Sequence, residues 1–227
     1  MSKKSKRLKQ ASAQVEVGKR YAIKDAVALL KTMPVTKFDQ SVELHFKLGV
    51  DIKQANQQVR GSVILPSGLG KSKRIAVFCA EAKEKEAKDA GATLTGGEEL
   101  IKTIATTGKC DFEVAVATPD MMKKMAPIAK ILGQKGLMPN PKTETITNDI
   151  GKVVKELNSG KINFKIDDTG NLHQMVGKLS FSEDQLTANM QALINAVTKA
   201  KPTGIKGTYI RNIVLTSTMG PAIKVVL

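Results

Sequence analysis

The chain has 227 residues and a formal net charge of +15, with a sequence pI near 9.8. Hydrophobic residues make up 41% of it, which is enough for a core and excludes a disordered basic tail. No apolar run approaches the ~20 residues of a membrane span, and the basic N-terminus lacks the apolar segment of a secretory signal. We therefore expect a cytoplasmic protein with no membrane partner. A strongly basic globular chain predicts a polyanionic partner, with nucleic acid the first hypothesis.

The cysteine and aromatic content limits the kinds of nucleic-acid-binding protein that fit this chain. Cys79 and Cys110 are the only cysteines and form no CxxC pair, so we interpret them as small core residues in a reducing compartment. Aromatic residues are 4% of the chain and tryptophan is absent, which disfavours a row of base-stacking platforms. Recognition of a folded RNA by shape, phosphate and 2′-OH contacts is still compatible with this composition.

The N-terminal part combines a polar arm with amphipathic elements. Residues 1–20 are basic and polar and are interpreted as a tail or arm. Apolar residues at helical spacing predict a helix over Ile23–Met33, and Pro34 ends it. Strict alternation predicts a half-buried strand over Ser41–Leu48, and a second strand over Gly61–Leu65 runs into a break rich in proline and glycine.

The middle of the chain has a different pattern. Short, nearly all-apolar strands alternate with helices, which favours a small α/β sheet covered on both faces. The predicted strands are 74–79 and 113–117, and the predicted helices are 81–89, 98–106 and 149–157, with a helical turn near 128–132.

The C-terminal part returns to the style of the N-terminal part. Strands are predicted at 162–166 and 172–181, around a turn at 167–171, and again at 210–215 and 223–227. Between these pairs, Ser182 is a plausible N-cap for a helix of about 17 residues. We infer a discontinuous outer domain, residues 1–67 plus 161–227, with an α/β domain at 68–160 inserted between two glycine-rich hinges.

The charge is unevenly divided between these two parts. The outer segments hold 21 basic and 9 acidic residues, whereas residues 68–160 hold 15 basic and 12 acidic residues. The outer part therefore carries +12 of the net +15. If charge marks the polyanion site, that site lies mainly on the outer domain.

The sequence contains only incomplete or single matches to motifs that are typical of enzymes. Gly68–Ser72 resembles part of a phosphate-binding loop, but Leu65 stands where that loop needs glycine. Asp168–Gly170 matches the aspartic-protease triplet, yet it occurs once and is interpreted as a hairpin turn. His45 and His173 are the only histidines and belong to no metal-binding motif. We predict no catalytic residue, cofactor or metal; a nucleotide-dependent or sugar-phosphate enzyme is the rival class.

Three segments allow two interpretations each. Met121–Met125 is either a helix padded with methionine or an adaptable binding surface. Gly133–Pro141 either receives phosphate through backbone N–H groups and Lys135 or simply packs under the inserted domain. Thr216–Pro221 offers three successive hydroxyls to a 2′-OH or phosphate, or is an ordinary β-turn.

Four segments of the chain resemble the ribosomal protein L1 family, whose members lie at the mobile side stalk of the large subunit. Gly133–Pro141 resembles the family's signature loop, although Gln134 stands where the family usually has proline or a basic residue. Lys37–His45 resembles its N-terminal RNA-binding segment, Val59–Lys71 its first hinge, and Thr216–Pro221 its C-terminal loop. The motifs follow one another in order along essentially the whole chain.

The resemblance implies a mixed α/β and α+β fold with two domains. An outer α+β domain of split β-α-β type would be built from both termini, with a Rossmann-like α/β domain inserted. It implies a non-enzymatic constituent of the large ribosomal subunit that binds large-subunit rRNA and assists release of deacylated tRNA from the exit site. It also implies repression of the mRNA leader of its own operon, and a monomer off the ribosome. The alternative is a free RNA-binding translational regulator.

The resemblance also assigns contact residues. Lys37 would supply phosphate charge, Phe38 and Met219 apolar packing, Ser41 and Thr218 contacts to 2′-OH groups, and Gly220 close approach. The remaining members of the set are Thr216 in the C-terminal loop, Glu43 and His45 on the face of the strand that carries Ser41, and Lys165 and Asn212 by rough alignment.

Overall fold

The structure, a computed structural model, describes residues 5–16, 18–34, 36–71, 73–205 and 207–226, with only the backbone at 55 and 142. Residues 1–4 and 17 of the predicted arm, Ser72 of the first glycine-rich break and Leu227 of the last predicted strand lie outside the described residues. The chain divides into two compact units, one formed by residues up to Gly70 and from Ile162 onward, the other by Lys71–Lys161. Within the described part, no helix is both apolar enough and long enough to cross a membrane.

The fold mixes helices and strands, as predicted. The helices are α1 (Lys6–Ala13), α2 (Ile23–Thr32), α3 (Glu81–Asp89), α4 (Glu98–Thr107), α5 (Pro119–Lys124), α6 (Ala129–Gln134), α7 (Ile150–Asn158) and α8 (Glu183–Lys199). The strands are β1 (Ser41–Leu48), β2 (Arg60–Ile64), β3 (Ile75–Phe78), β4 (Leu94–Gly96), β5 (Val114–Ala117), β6 (Lys161–Lys165), β7 (Asn171–Lys178), β8 (Ile210–Ser217) and β9 (Ile223–Val225). Short 3₁₀ turns lie at Ala55–Gln57, Ala126–Ile128 and Pro141–Thr143.

A four-stranded antiparallel sheet organises the first unit. Its strand order is β7-β1-β8-β9, and β2 pairs with β6 in a separate two-stranded sheet. Alternation along β1 sends Val42, Leu44 and Phe46 to one face, where they are buried. Helices α2 and α8 pack against this apolar face. The polar residues of the same strands are thereby left on the opposite face.

Helix α8 begins where the sequence predicts. The Ser182 hydroxyl accepts the backbone N–H of Gln185 at 3.2 Å, and the Gln185 side chain accepts the N–H of Ser182 at 2.9 Å. This capping box satisfies two N–H groups that the first turn leaves without partners. The prediction of a helix of about 17 residues is confirmed, with its apolar side in the core of the first unit.

A three-stranded parallel sheet organises the second unit. Its order is β4-β3-β5, and its two faces carry different helices. Ile75 and Val77 pack with apolar residues of α3 and α7, whereas Ala76 and Phe78 pack with those of α4 to α6. Because both faces are covered, every residue of β3 is buried, which explains its all-apolar sequence.

Three sequence-based predictions need correction. The predicted arm contains helix α1, whose first turn is capped by Ser5 and whose Ala11 is buried. Strand β7 ends at Lys178 because Phe181 donates its N–H to the Lys178 carbonyl and closes a turn. Strand β4 was not predicted, since three residues that include threonine and glycine carry no detectable alternation.

The structure also separates the alternatives for three segments. Asp167 accepts N–H bonds from Thr169 and Asn171, so the protease-like triplet is a hairpin turn, as predicted. These bonds outweigh burial, which acts to raise the pKa of Asp167, and hold it well below its usual range. Met121 and Met125 are buried, which favours a padded helix. In Gly133–Pro141, Leu137 packs against the core of the second unit, which favours the packing role.

Candidate nucleic-acid interface

One face of the four-stranded sheet carries polar side chains from all four strands. Register places Glu43 between Met175 and Thr216, and His45 between His173 and Val214. We call this surface the open face. Its members are Ser41, Glu43, His45 and Lys47 of β1, Asn171, His173, Met175 and Lys178 of β7, Asn212, Val214 and Thr216 of β8, and Lys224 of β9.

The loop after β8 is fastened to the start of β1 at one end of the open face. Thr218 donates its backbone N–H to the Ser41 carbonyl at 3.0 Å. Its hydroxyl accepts the Ser41 N–H at 3.0 Å and lies 3.3 Å from the Ser41 carbonyl oxygen. The Thr218 hydroxyl thus accepts the Ser41 N–H, as a backbone carbonyl would at the end of the β1–β8 ladder. Its first role is to position the loop.

Two apolar side chains project from this end of the sheet. Phe38 is 51% exposed and Met219 is 53% exposed, although large apolar residues usually lie inside. The backbone N–H of Met219 bonds at 3.0 Å to the amide oxygen of Gln40, which is itself only 3% exposed. A buried anchor therefore fixes the loop while Met219 points outward, which is typical of a binding surface.

Gly220 is required by the loop itself. Its N–H donates to the Ser217 carbonyl at 2.9 Å and closes a tight turn. A Cβ at position 220 would lie 2.3 Å from the Ser217 hydroxyl oxygen, far inside contact distance. The sequence-based reason for glycine was close approach to a ligand; the structure supplies a reason internal to the loop.

Cationic side chains lie around the loop and the start of β1. Lys37 is exposed, and the Lys178 ammonium lies 3.1 Å from the Ser41 hydroxyl and 3.4 Å from the Asp39 carbonyl oxygen. The Asp39 carboxylate is engaged by the backbone and hydroxyl of Ser180, at 3.2 and 2.8 Å. An apolar centre edged by cations and hydroxyls suits ribose and phosphate groups.

The two histidines form a pair in the middle of the open face. His45 Nδ1 lies 2.8 Å from His173 Nδ1, and His45 Nε2 lies 3.3 Å from the Thr216 hydroxyl. Burial lowers the pKa of His45, and the neighbouring His173 lowers it further, against the opposing effect of Glu43. These effects favour the neutral form of His45, whose ring nitrogens are engaged in hydrogen bonds within the open face.

Most of the predicted contact residues form one continuous surface. They are Lys37, Phe38, Ser41, Glu43, His45, Asn212, Thr216, Thr218, Met219 and Gly220, from β1, β8 and the segments that flank them. Lys165 is separate, at the end of β6 in the two-stranded sheet. Sequence reasoning missed Gln40, His173 and Lys178; only strand register brings the latter two beside His45 and Ser41.

One cleft of the second unit has more carboxylates than cations in its lining. This cleft, at the carboxyl ends of β3 and β4, where α/β proteins commonly bind nucleotides, is lined by four carboxylates, those of Glu81, Glu84, Glu98 and Glu99, and by two cations. The cations are Lys102 and Lys124, and Lys124 is paired with Glu98 at 2.7 Å. These carboxylates occupy the helix N-termini that would otherwise attract phosphate. Within the described residues, no group of three or more His, Cys, Asp or Glu side chains could hold a metal ion.

The chain is similar to known proteins along nearly its whole length. The model of the Ribosomal protein L1p/L10e family matches residues 29–221. The chain is 46% identical over 223 residues to Large ribosomal subunit protein uL1 of Solibacter usitatus, covering 98% of this chain and 94% of that protein. It is 48% identical over 225 residues to proteins of the same name from Mesoplasma florum and Mycoplasma capricolum, covering 99% of each chain.

Proposed function

Because this chain belongs to the ribosomal protein L1p/L10e family, we propose that it binds large-subunit rRNA through the open face and the adjoining loop. Family membership places it among ribosomal proteins rather than enzymes, in keeping with relatives that are large-subunit proteins. In this role it is a structural constituent of the large ribosomal subunit in the cytoplasm.

The loop held by Ser41 is the observation that carries this proposal. Thr218 is fixed to the Ser41 backbone, so Met219 is presented next to β1 in a preorganised loop, which reduces the cost of ordering it on binding. The exposed Met219 and Phe38 can cover ribose or the face of an unstacked base. The Ser41 hydroxyl and the cation of Lys178, which lie 3.1 Å apart, supply a polar site for a 2′-OH or phosphate oxygen beside them.

The excess of basic residues in the outer segments also supports RNA binding by the first unit. The outer segments hold 21 basic and 9 acidic residues, and phosphate contacts dominate affinity for nucleic acid. Binding should therefore weaken as salt rises, with a logarithmic slope of roughly −0.7 to −0.9 for each phosphate neutralised. Affinity for the rRNA fragment that does not change with salt would contradict the proposal.

The finer functions rest on family resemblance. We propose that the first unit is the outer RNA-binding domain and the second an inserted Rossmann-like domain. We also propose that the protein assists release of deacylated tRNA from the exit site. A folded mRNA leader with the shape of the rRNA site would meet the same chemistry on the open face, so repression of its own operon follows from one binding surface. The protein acts as a monomer off the ribosome.

Co-sedimentation with large ribosomal subunits is the decisive experiment. We expect the full-length protein to sediment with subunits stripped of their own copy and to be displaced by excess rRNA fragment. Binding to the mRNA leader without co-sedimentation would favour the alternative, a free translational regulator. Nucleotide binding by calorimetry would revive the enzyme hypothesis.

A second experiment tests the assignment of binding to the first unit. A chain that joins residues 1–67 to 161–227 should still bind the rRNA fragment, since it retains the open face and the loop. Circular dichroism establishes first that this chain is folded. Loss of all affinity in a folded chain would move the site to the second unit.

A further inference from the structure

Four polar side chains lie in a row across the open face, from β8 to the turn that precedes β7. The Thr216 hydroxyl is 3.3 Å from His45 Nε2, and His45 Nδ1 is 2.8 Å from His173 Nδ1. At the other end of the row, His173 Nε2 is 3.5 Å from Asp167 Oδ2, at the long end of hydrogen-bond distance. We call these four residues the polar row. Each histidine in it has a partner at both ring nitrogens.

The two ends of the polar row differ in what they can do. A hydroxyl can donate or accept a hydrogen bond, whereas an ionised carboxylate only accepts. Burial acts to raise the pKa of Asp167, but N–H bonds from Asn171 and Thr169 outweigh it and keep the carboxyl ionised. Asp167 is therefore the end that sets the direction of the hydrogen bonds.

That direction passes from one residue to the next. A proton must lie on His173 Nε2, because this nitrogen faces the Asp167 carboxylate. A neutral imidazole carries one proton, so His173 Nδ1 accepts and His45 donates to it from Nδ1. His45 Nε2 is then an acceptor, and the Thr216 hydroxyl donates to it. The Thr216 oxygen consequently has only lone pairs to offer a partner outside the protein.

Glu43 is a second carboxylate near the polar row, and it does not reverse this direction. Its Oε2 atom lies 3.7 Å from His45 Nε2, beyond hydrogen-bond distance. In the reversed direction an unprotonated His173 Nε2 would face the Asp167 carboxylate, and two acceptors would oppose one another. Register places Glu43 opposite Thr216, so the centre of the open face presents hydrogen-bond acceptors.

We propose that Asp167, acting through the two histidines, is a positioning residue that makes Thr216 an acceptor for a ribose 2′-OH of the bound RNA. The inference rests on the proposed function, because it needs RNA on the open face. Phosphate oxygens only accept hydrogen bonds, so they do not match this centre, whereas a 2′-OH can donate. DNA lacks that hydroxyl, so the polar row contributes to the discrimination of RNA from DNA.

The first test needs no RNA. Two-dimensional NMR of the nitrogen-labelled full-length protein, at about pH 8 and so above the ordinary range of histidine, shows which ring nitrogens carry protons. We expect protons on His173 Nε2 and His45 Nδ1. The chain has two histidines, and the spectrum of His45→Gln identifies the signals of His173. The reverse pattern, or an equal mixture of both forms, would overturn the proposal.

Variants of the turn test the role of the Asp167 carboxylate. Asp167→Asn removes the charge, so His173 and His45 should each populate both neutral forms. Asp168→Asn is the matched control, because it removes the same charge from an exposed residue at the next position and should keep the wild-type pattern. An unchanged pattern in Asp167→Asn, or an equal change in Asp168→Asn, would overturn the assignment.

A third variant separates the carboxylate from the shape of the turn. The Thr169 hydroxyl bonds to Asp167 at 2.8 Å, so Thr169→Val weakens the turn and keeps the carboxylate. Thermal unfolding reports how far each variant loosens the fold. We expect Thr169→Val to retain the wild-type proton positions. If it changes them as Asp167→Asn does, the turn rather than the carboxylate sets them, and the proposal is wrong.

The second test looks for the donor on the RNA. Single 2′-fluoro substitutions in an rRNA fragment that contains the side stalk remove the donor with little change in the shape of the sugar. At the nucleotide that meets Thr216, we expect about 3- to 10-fold weaker binding to the wild type. Thr216→Val should show no further loss at that nucleotide, and Thr216→Ser, which keeps the hydroxyl, should respond as the wild type does.

The RNA measurements also separate this inference from the proposed function. If no substituted position is coupled to Thr216→Val, the contact between Thr216 and a 2′-OH is wrong. If the wild-type protein does not bind the unmodified fragment, the proposed function fails, whereas the proton positions in the free protein still decide whether Asp167 sets the direction of the row.

Discussion

His45 and His173 face one another across β1 and β7 with their Nδ1 atoms 2.8 Å apart. At this distance one Nδ1 donates and the other accepts, so the pair cannot carry a proton on both. The charged groups around the pair are Glu43 near His45 Nε2, Asp167 at 3.5 Å from His173 Nε2, Lys47 on β1 and Lys224 on β9. Burial and the neighbouring His173 ring therefore both oppose protonation of His45, although the Glu43 carboxylate lies close by.

The free energy of unfolding should fall as the pH drops from about 7.5 to about 5.5. Unfolded His45 takes up its proton near pH 6.5, whereas burial first, and then His173, lower its pKa in the folded protein. The unfolded state binds more protons over this window, so stability is lost as pH falls. Urea unfolding at several pH values measures the decline, and His45→Gln should make it shallower. If the free energy of unfolding of His45→Gln falls with pH as steeply as that of the wild type, His45 is not the cause of the decline.

Thr218→Val should weaken binding of the rRNA fragment by about 1–3 kcal/mol. Valine preserves the shape of the side chain but cannot accept the Ser41 N–H or approach the Ser41 carbonyl as a donor. Thr218→Ser keeps the hydroxyl and is the matched control, with affinity close to wild type. Filter binding or calorimetry measures both. Equal affinity of the two variants would mean that fastening of the loop is irrelevant to RNA.

Gly220→Ala should displace the loop and weaken RNA binding, because its Cβ would lie 2.3 Å from the Ser217 hydroxyl oxygen. The next contacts of that Cβ, to the Cβ and backbone nitrogen of Ser217, are both at 3.5 Å and are ordinary. Removing the hydroxyl in the double variant Ser217→Ala/Gly220→Ala should therefore restore most of the affinity. Ser217→Ala alone completes the cycle. If the double variant binds as poorly as Gly220→Ala, the clash is not the cause.

Phe38→Ala and Met219→Ala should each reduce affinity for the rRNA fragment by roughly 1–3 kcal/mol, the range of a base or ribose contact. Both side chains are about half exposed, so their loss should hardly change the free energy of unfolding. Ile64→Ala is the control, since Ile64 is 50% exposed in the same unit but lies on β2, outside the four-stranded sheet. An equal loss in Ile64→Ala would point to a general effect of surface apolarity.

Local pattern was sufficient to predict the elements that carry the interface. Alternation in Ser41–Leu48 gives β1 its two faces, and Ser182 marks the start of α8. Both signals act within a few residues along the chain, so the sequence alone contains them. Register between distant strands is different. His173 and Lys178 join the interface through pairing with β1, more than a hundred residues away in sequence, which no local pattern encodes.

The buried support of the loop was also beyond prediction. Gln40 is polar and precedes a strand, so the sequence marks it as a surface residue, yet the fold buries it to hold Met219. Helix α1 is similar, because its lysines suggest a tail and only small or isolated apolar residues such as Ala11 seat it. In both cases tertiary contacts override the local preference.

Lys161 of the second unit is a buried cation that holds two acidic residues together. Its side chain is 4% exposed, and it forms ion pairs with Glu144 and, at 2.8 Å, with Glu156. Burial alone would lower the pKa of Lys161, but bonds to the two carboxylates outweigh it and raise the pKa above its ordinary value. The same contact lowers the pKa of Glu144.

Lys161→Met should therefore lower the free energy of unfolding at neutral pH. Breaking a fully buried ion pair costs about 3–5 kcal/mol, and because Glu144 is 66% exposed we expect roughly 1–3 kcal/mol instead. The stabilisation from Glu144 is present above the ordinary carboxylate range and is lost as pH falls through its lowered pKa, so the difference between wild type and variant should shrink in acid. Glu156→Gln, which keeps the Glu144 pair, should cost less. Denaturant unfolding by circular dichroism at pH 7 and pH 3 measures this, and a variant as stable as wild type at pH 7 would show that the ion pairs only offset the cost of burying the charge.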